Sequence, residues 1–392
     1  MNPGWKVRIS LSPVNEPHFL LDNKADLLMP IVHCLNCHQP YPEQGTPYRC
    51  PNCGGLYDFS ATSVFDPAQL NSALPGIWRY LHTFGLPENA QPVYLGEGDT
   101  PLLWSQAFGH EIAFKLEYLN PTGSFKDRGS ALLVSFLQSR QVMSVVEDSS
   151  GNAGASLAAY AARAGLQARI FVPDYASGPK RSQIDAYGAE IVRILGPRSN
   201  TSEAVRRAAE QGSIYASHAY MPFGLPGYAT IAYEMVEQMG TAPRTVIAPT
   251  GQGNLLLALG RGFQALKKAG AINDLPHLVG VQARACAPLW AVFSYGAAGL
   301  GWVTEGETLA EGVRIKNPIR GDALLQLVAE SSGLFVAVDE EDILPGRDEL
   351  ARRGLYVEPT SAIVWSALSQ VVDQLPDPIA VVLTGSGYKS SS

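Results

Sequence analysis

The segment Asn120 to Gly129, NPTGSFKDRG, sets a lysine between two glycines, where a surface charge would gain nothing from such punctuation. Held on a Gly/Ser turn in apolar surroundings, the Lys126 amine would be desolvated. That lowers its pKa and suits it to condense with an aldehyde. The plainer alternative is a solvated lysine at a helix start, paired with Asp127. Three further turns have the grammar of a strand running into a helix: EDSSGNAGAS (147–156), PTGQGN (249–254) and LTGSGYK (383–389). Such turns point orphan backbone N–H groups and the positive end of a helix dipole at an anion, and small residues let a phosphate come close. Taken singly, each is equally a structural turn with a serine or asparagine cap.

A second constellation lies upstream. Four of the five cysteines form two knuckles, Cys34/Cys37 and Cys50/Cys53, spaced C-x2-C, twelve residues, C-x2-C, while Cys286 stands alone. The spacing places four thiolates around one tetrahedral Zn²⁺, and because that sphere is closed the metal is structural and takes no part in catalysis. A ribbon that keeps its cysteines as thiols, or pairs them, without metal is the alternative.

The elements that must position these residues follow from periodicity. From Trp78 onward, short β-branched runs (VMSVVE, ARIFVP, AEIVRIL, SIYAS, RTVIAP, HLVGVQA, IAVVLT) alternate with longer Ala-rich amphipathic ones such as AGASLAAYAARAG, TSEAVRRAAEQ, YATIAYEMVEQMG, GNLLLALGRGFQALKKA and EEDILPGRDELARRG. Continuous apolar strands between helices predict an α/β fold with parallel sheets covered on both faces. Ligands in such folds bind beyond the carboxyl ends of strands, where these turns lie. Residues 1–30 are expected to be an extension packed on the body.

With 392 residues the chain can bury a large core, and a net charge of −7 argues against nucleic-acid or anionic-membrane partners. No apolar run nears the roughly 20 residues that cross a bilayer. The start, MNPGWKVRISLSP, lacks a secretory pattern, so a cytoplasmic protein is expected.

NPTGSFKDRG resembles the pyridoxal-phosphate lysine motif of threonine synthase and its relatives, the tryptophan-synthase-β-like enzymes of fold type II. The resemblance extends through EGDTPL (97–102), KLEYLNPTGSFKDR (115–128), SSGNAGAS, PTGQGN, EPTSA (358–362) and LTGSGYK, in the family's order, over roughly residues 75–390. The leading ribbon is similar to the extension on some bacterial and archaeal members. The resemblance implies two doubly wound α/β domains: a larger cofactor-binding one from 61–130 and 232–392, and a smaller one from 131–231, after a ribbon-bearing segment at 1–60. It implies that Lys126 bonds the cofactor and, once released, moves protons at Cα and Cβ. Asn152 would meet the ring hydroxyl, and Gly251, Gln252, Gly253 and Asn254 would hold the phosphate. Thr384, or failing that Ser386, would face the pyridine nitrogen, and Ser149, Ser150 and Asn152 would take the substrate carboxylate. A hydroxyl at the ring nitrogen moderates the electron sink and favours elimination and replacement chemistry.

The chain departs from the family in places. Before the helix containing ATIAYE, threonine synthases often carry an Asn-Pro-x-Arg-x-Glu-Gly-like stretch; HAYMPFGLPGYATIAYE keeps Pro222 but has neither the arginine nor the glutamate. Asp99 replaces the usual asparagine, and SSGNA, with Ala153, replaces STGNT. Lys180 and Arg181 remain candidates for a substrate phosphate. The expected activity is conversion of O-phospho-L-homoserine and water to L-threonine and phosphate by a homodimer. The alternatives are another β-elimination or β-replacement enzyme (cysteate-synthase-like, a threonine/serine dehydratase, or a diaminopropionate ammonia-lyase) and a catalytically idle protein acting through its ribbon.

Overall fold

The computed structural model describes residues 32–175 and 178–390; the expected N-terminal extension lies outside the described residues apart from its ribbon. The ribbon is an antiparallel pair, β1 (Val32–Cys34) and β2 (Tyr57–Phe59). An antiparallel hairpin follows, β3 (Leu102–Ala107) and β4 (His110–Lys115), closed by the two-residue turn Phe108-Gly109. Both turn residues have positive φ, 53° and 82°, the twist that a two-residue hairpin needs.

Helix α1 (Lys126–Ser139) leads to a parallel three-stranded sheet of β5 (Ser144–Glu147), β6 (Gln167–Pro173) and β7 (Glu190–Ile194). Its crossovers are helices α2 (Asn152–Arg163) and α3 (Pro179–Ala186). Helices α4 (Arg198–Glu210) and α5 (Leu225–Met239) then return the chain to a larger sheet. That sheet takes β8 (Thr245–Pro249), β9 (His277–Ala283), β10 (Leu334–Val338) and β11 (Ile379–Val382) in the order β10-β9-β8-β11-β4-β3, with α6 (Asn254–Lys268) between β8 and β9. All its pairings are parallel except the β3–β4 edge. The three-stranded sheet falls within residues 131–231, and the larger sheet draws strands from both sides of that interval.

Alternation along the strands explains the two-faced core. Val246, Ala248, Leu278, Ala380 and Val382 pack into one apolar cluster, whereas Ile247, Val279, Val281, Ile379 and Val381 pack into another. Two differences from the sequence expectations stand out. SIYAS is no strand: Tyr215 makes a single parallel bridge with Val146, and the chain turns away at Ser217, whose carbonyl accepts from Met221 N. Lys126 does not sit within a turn; it is the first residue of α1, as the plainer alternative had it, but without a solvated side chain. Among the described residues no helix is long and apolar enough to cross a membrane.

Candidate active site

Lys126 Nζ lies 4.6 Å from the Phe125 ring centroid and 5.8 Å from that of Tyr228. The residue keeps a sliver of surface, but protein crowds its amine, and this desolvation lowers the pKa to about 8 against the opposing pull of Glu147 and Glu358. Asp127 does not pair with Lys126. It points back into the loop, accepting from Thr122 N, Thr122 Oγ1 and Ser156 Oγ, each at 2.6 Å, and so fixes the start of α1. One helical step on, buried Arg128 bonds Glu117 and Glu234, with Lys115 also on Glu234 at 2.7 Å. This ionic knot ties α1 to β4 and α5.

The C-terminal turn is laced onto the lysine loop. Phe125 N donates to Thr384 O and Ser386 N to Gly123 O, both at 3.0 Å, so that Ser124 and Gly385 bridge antiparallel. Lys389 Nζ, buried, donates to Thr122 O at 2.7 Å. Among the described residues Thr384 Oγ1 is buried without a partner, whereas Ser386 Oγ already accepts from Tyr388 N. Of the two hydroxyls, Thr384 is the one left for a ligand atom.

The SSGN turn ends β5 and opens α2. Ser149 Oγ accepts from Gly151 N at 3.3 Å, and Gly154 packs so tightly that a Cβ there would meet Ser149 O at 1.8 Å. Asn152 Nδ2 donates to Glu358 Oε1 at 2.7 Å, and among the described residues its buried Oδ1 has no partner. Glu358, buried at the start of the helix Pro359–Val371, also pairs with Lys180 Nζ at 2.7 Å. Lys180, the candidate for a substrate phosphate, thus already pairs with a buried carboxylate.

In the PTGQGN loop, Gly253 takes φ +85° at the N-cap of α6, and a Cβ on Gly251 would meet Gly312 O at 2.6 Å. No backbone N–H from Gly251 to Asn254 donates to a described backbone carbonyl. These donors at a helix N-terminus suit a phosphate. The side chains face elsewhere: Gln252 Oε1 accepts from Ile319 N, and Asn254 Nδ2 donates to His218 O.

Unpaired Thr384 Oγ1, unpaired Asn152 Oδ1, a desolvated lysine and a free N–H cradle together fit the ring nitrogen, ring hydroxyl, aldehyde and phosphate of pyridoxal phosphate. Sequence reasoning names those groups but misses their braces. Asp127 and Glu358 stand in quoted motifs without a role, and Glu147 and His218, whose side chains meet at 3.0 Å, are joined only by tertiary structure.

The four ribbon thiols lie within 4.8 Å of one another, with Cys34–Cys53 at 3.5 Å and Cys37–Cys50 at 3.6 Å. A zinc tetrahedron with Zn–S of about 2.3 Å has edges of about 3.8 Å, so the donor set fits the metal. The ribbon is not remote from the site. Buried Arg320 joins it to the segment after His218, donating to Tyr57 O at 2.9 Å, Tyr220 O at 3.0 Å and Ala219 O, with Asp58 alongside.

The sequence model of the family "Pyridoxal-phosphate dependent enzyme" matches residues 93–385. The chain belongs to that family, with the fold type II architecture. Its relatives include the threonine synthases of Methanocaldococcus jannaschii (32% identical over 377 residues, 92% of this chain and 93% of the relative) and Methanosarcina acetivorans (32% over 355 residues, 87% of each). That of Synechocystis is 36% identical over 307 residues, covering 76% of this chain and 78% of the relative. At such identity and coverage, its place within the family is among the threonine synthases. A solved structure of a threonine deaminase from T.th. superposes with TM-score 0.62 at 28% identity, over 75% of this chain and 94% of that one.

Proposed function

We propose that this protein is a pyridoxal-phosphate-dependent threonine synthase, converting O-phospho-L-homoserine and water to L-threonine and phosphate. The observation that carries the reading is the desolvated Lys126 amine, together with the unpartnered Thr384 and Asn152 groups, in a chain similar to threonine synthases over most of its length. Bound there, the cofactor would supply an electron sink for proton removal at the amino-bearing carbon and then at its neighbour. The protein's part is positioning and proton transfer. Lys126, with a substantial unprotonated fraction at mildly alkaline pH, would move protons at Cα and Cβ. Ser149, Ser150 and Asn152, on the turn at the start of α2, would hold the substrate carboxylate. Thr384 would meet the ring nitrogen without demanding its protonation.

Two observations favour a second reading, elimination from an amino acid without a phosphate: Lys180 is paired with Glu358, and the stretch 218–227 lacks the arginine and glutamate of the family pattern. Incubation of the holoenzyme with O-phospho-L-homoserine separates the two. Equal yields of threonine and phosphate support the first; inertness there, with 2-oxo acid and ammonia formed from serine or threonine, supports the second. A homodimer in the cytoplasm completes the proposal, and light scattering of the purified protein measures the dimer.

A further inference from the structure

Glu147 is the last residue of β5, immediately before Asp148 and the SSGN turn. His218 lies on the segment that turns away from β5 after Tyr215. The two meet beside Lys126: His218 Nδ1 is 3.0 Å from Glu147 Oε1, and His218 N donates to Glu147 Oε2 at 3.3 Å. The backbone is pinned from the other side, since His218 O accepts from Asn254 Nδ2 at 2.9 Å in the phosphate-cradle loop. Among the described residues nothing hydrogen-bonds Nε2, and 23% of the side chain stays accessible. An imidazole is thus fixed through one nitrogen and left open at the other, between the turn for the substrate carboxylate and the loop for the cofactor phosphate.

We propose that Glu147 and His218 form a proton relay that protonates the bridging oxygen of the departing phosphate and then takes a proton from the attacking water. This rests on the function proposed above. Phosphate is a poor leaving group without a proton, so a neutral donor at that oxygen is what the step needs. Burial raises the Glu147 carboxyl well above the usual carboxylate range, with Asp148 adding to the effect. Burial lowers His218 to about 3, and the Lys126 ammonium adds to it, while Asp148 opposes and Arg198 reinforces. Both shifts favour a pair holding its proton with no charge on the ring. In the acid form, Glu147 O–H donates to Nδ1 and the ring hydrogen sits on Nε2. When the Cγ–O bond breaks, the electron pair left at Cβ by proton removal forms a Cβ–Cγ double bond, and the C–O pair goes to the oxygen, which takes the Nε2 hydrogen; the Glu147 proton passes to Nδ1, and Cγ later takes a proton as the double bond moves to Cα–Cβ. When water adds its oxygen to Cβ, one water proton returns to Nε2 and the Nδ1 hydrogen returns to Glu147. The pair ends as it began: the hydrogen it gives to phosphate is replaced by one from water.

The test compares wild-type holoenzyme with Glu147→Gln, whose amide keeps the hydrogen bond to Nδ1 but has no proton to relay, and with His218→Gln. Phosphate release from O-phospho-L-homoserine should fall by about 10²- to 10⁴-fold in both. Exchange of the substrate Cα hydrogen with deuterated solvent, which Lys126 carries out, should fall far less than phosphate release does. Independently of turnover, ¹⁵N-histidine NMR of wild-type apoenzyme should show a neutral His218 ring bearing hydrogen on Nε2 from about pH 6 to 8, where an ordinary histidine titrates. Undiminished phosphate release by Glu147→Gln, or a charged His218 ring at neutral pH, overturns the relay alone. Wild-type enzyme that exchanges Cα hydrogen yet releases no phosphate overturns the proposed function, and the relay's leaving group with it.

Discussion

Asn152 and Glu358 meet across the site at 2.7 Å, and they can do so only because residue 385 is glycine. A Cβ there would lie 2.1 Å from Glu358 Oε1 and 2.9 Å from Asn152 Nδ2. Gly385→Ala should push both side chains off the cofactor position at a cost of about 1–3 kcal/mol, weakening cofactor binding by roughly 5- to 150-fold. Absorbance titration of the apoenzyme measures it, and an unchanged dissociation constant would remove Asn152 from the cofactor site.

The pKa of Lys126, near 8, sets a pH dependence for cofactor loading. Only the unprotonated amine attacks an aldehyde. Loading of apoenzyme should therefore rise with pH, slow about tenfold per unit below pH ~8, and level off above it, where an ordinary lysine would keep rising toward ~10.4. Borohydride trapping followed by peptide mapping should find the label on Lys126. A label on buried Lys389, whose pKa is also lowered to about 8 by burial, would refute the assignment.

Thr384 and Ser386 can be told apart. Thr384→Asp should protonate the cofactor ring, shift the visible spectrum and lower turnover at least 100-fold, about 2.7 kcal/mol of barrier. Ser386→Ala should cost only its local cap, about 0.5–2 kcal/mol of stability, with the spectrum intact. The reverse outcome would move the ring partner to Ser386.

Arg320 makes the ribbon part of the catalytic body. Arg320→Met leaves Ala219 O, Tyr220 O and Tyr57 O without their donor and Asp58 with one partner fewer, which should cost about 3–5 kcal/mol. Cys50→Ser leaves three thiolates for the metal. It should lower the melting temperature, since structural zinc affinity is folding energy, and lower turnover as the 219–220 segment loosens. Stoichiometric zinc with unchanged melting would discount the site. Lower stability with full kcat would show that the ribbon's influence stops short of His218.

What is legible in the sequence is local. The glycine turns, the lysine loop and the cysteine knuckles announce themselves by spacing, and β9 (His277–Ala283) coincides with the run HLVGVQA. The β3–β4 hairpin leaves no such mark because its partly exposed residues lack a continuous apolar run, and SIYAS passes for a strand because β-branched composition says nothing about a partner edge. Lys180 reads as a free cation until Glu358, far along the chain, takes it. Such pairings leave no mark at the level of neighbouring residues.

The antiparallel bridge of Ser124 with Gly385, and the Lys389 bond to Thr122 O across a separation of 267 residues, close the lysine loop with a distant segment of the chain. A chain stopped at Leu383 should therefore carry Lys126 and yet form no stable adduct there with pyridoxal phosphate, because the segment that closes the lysine loop is missing.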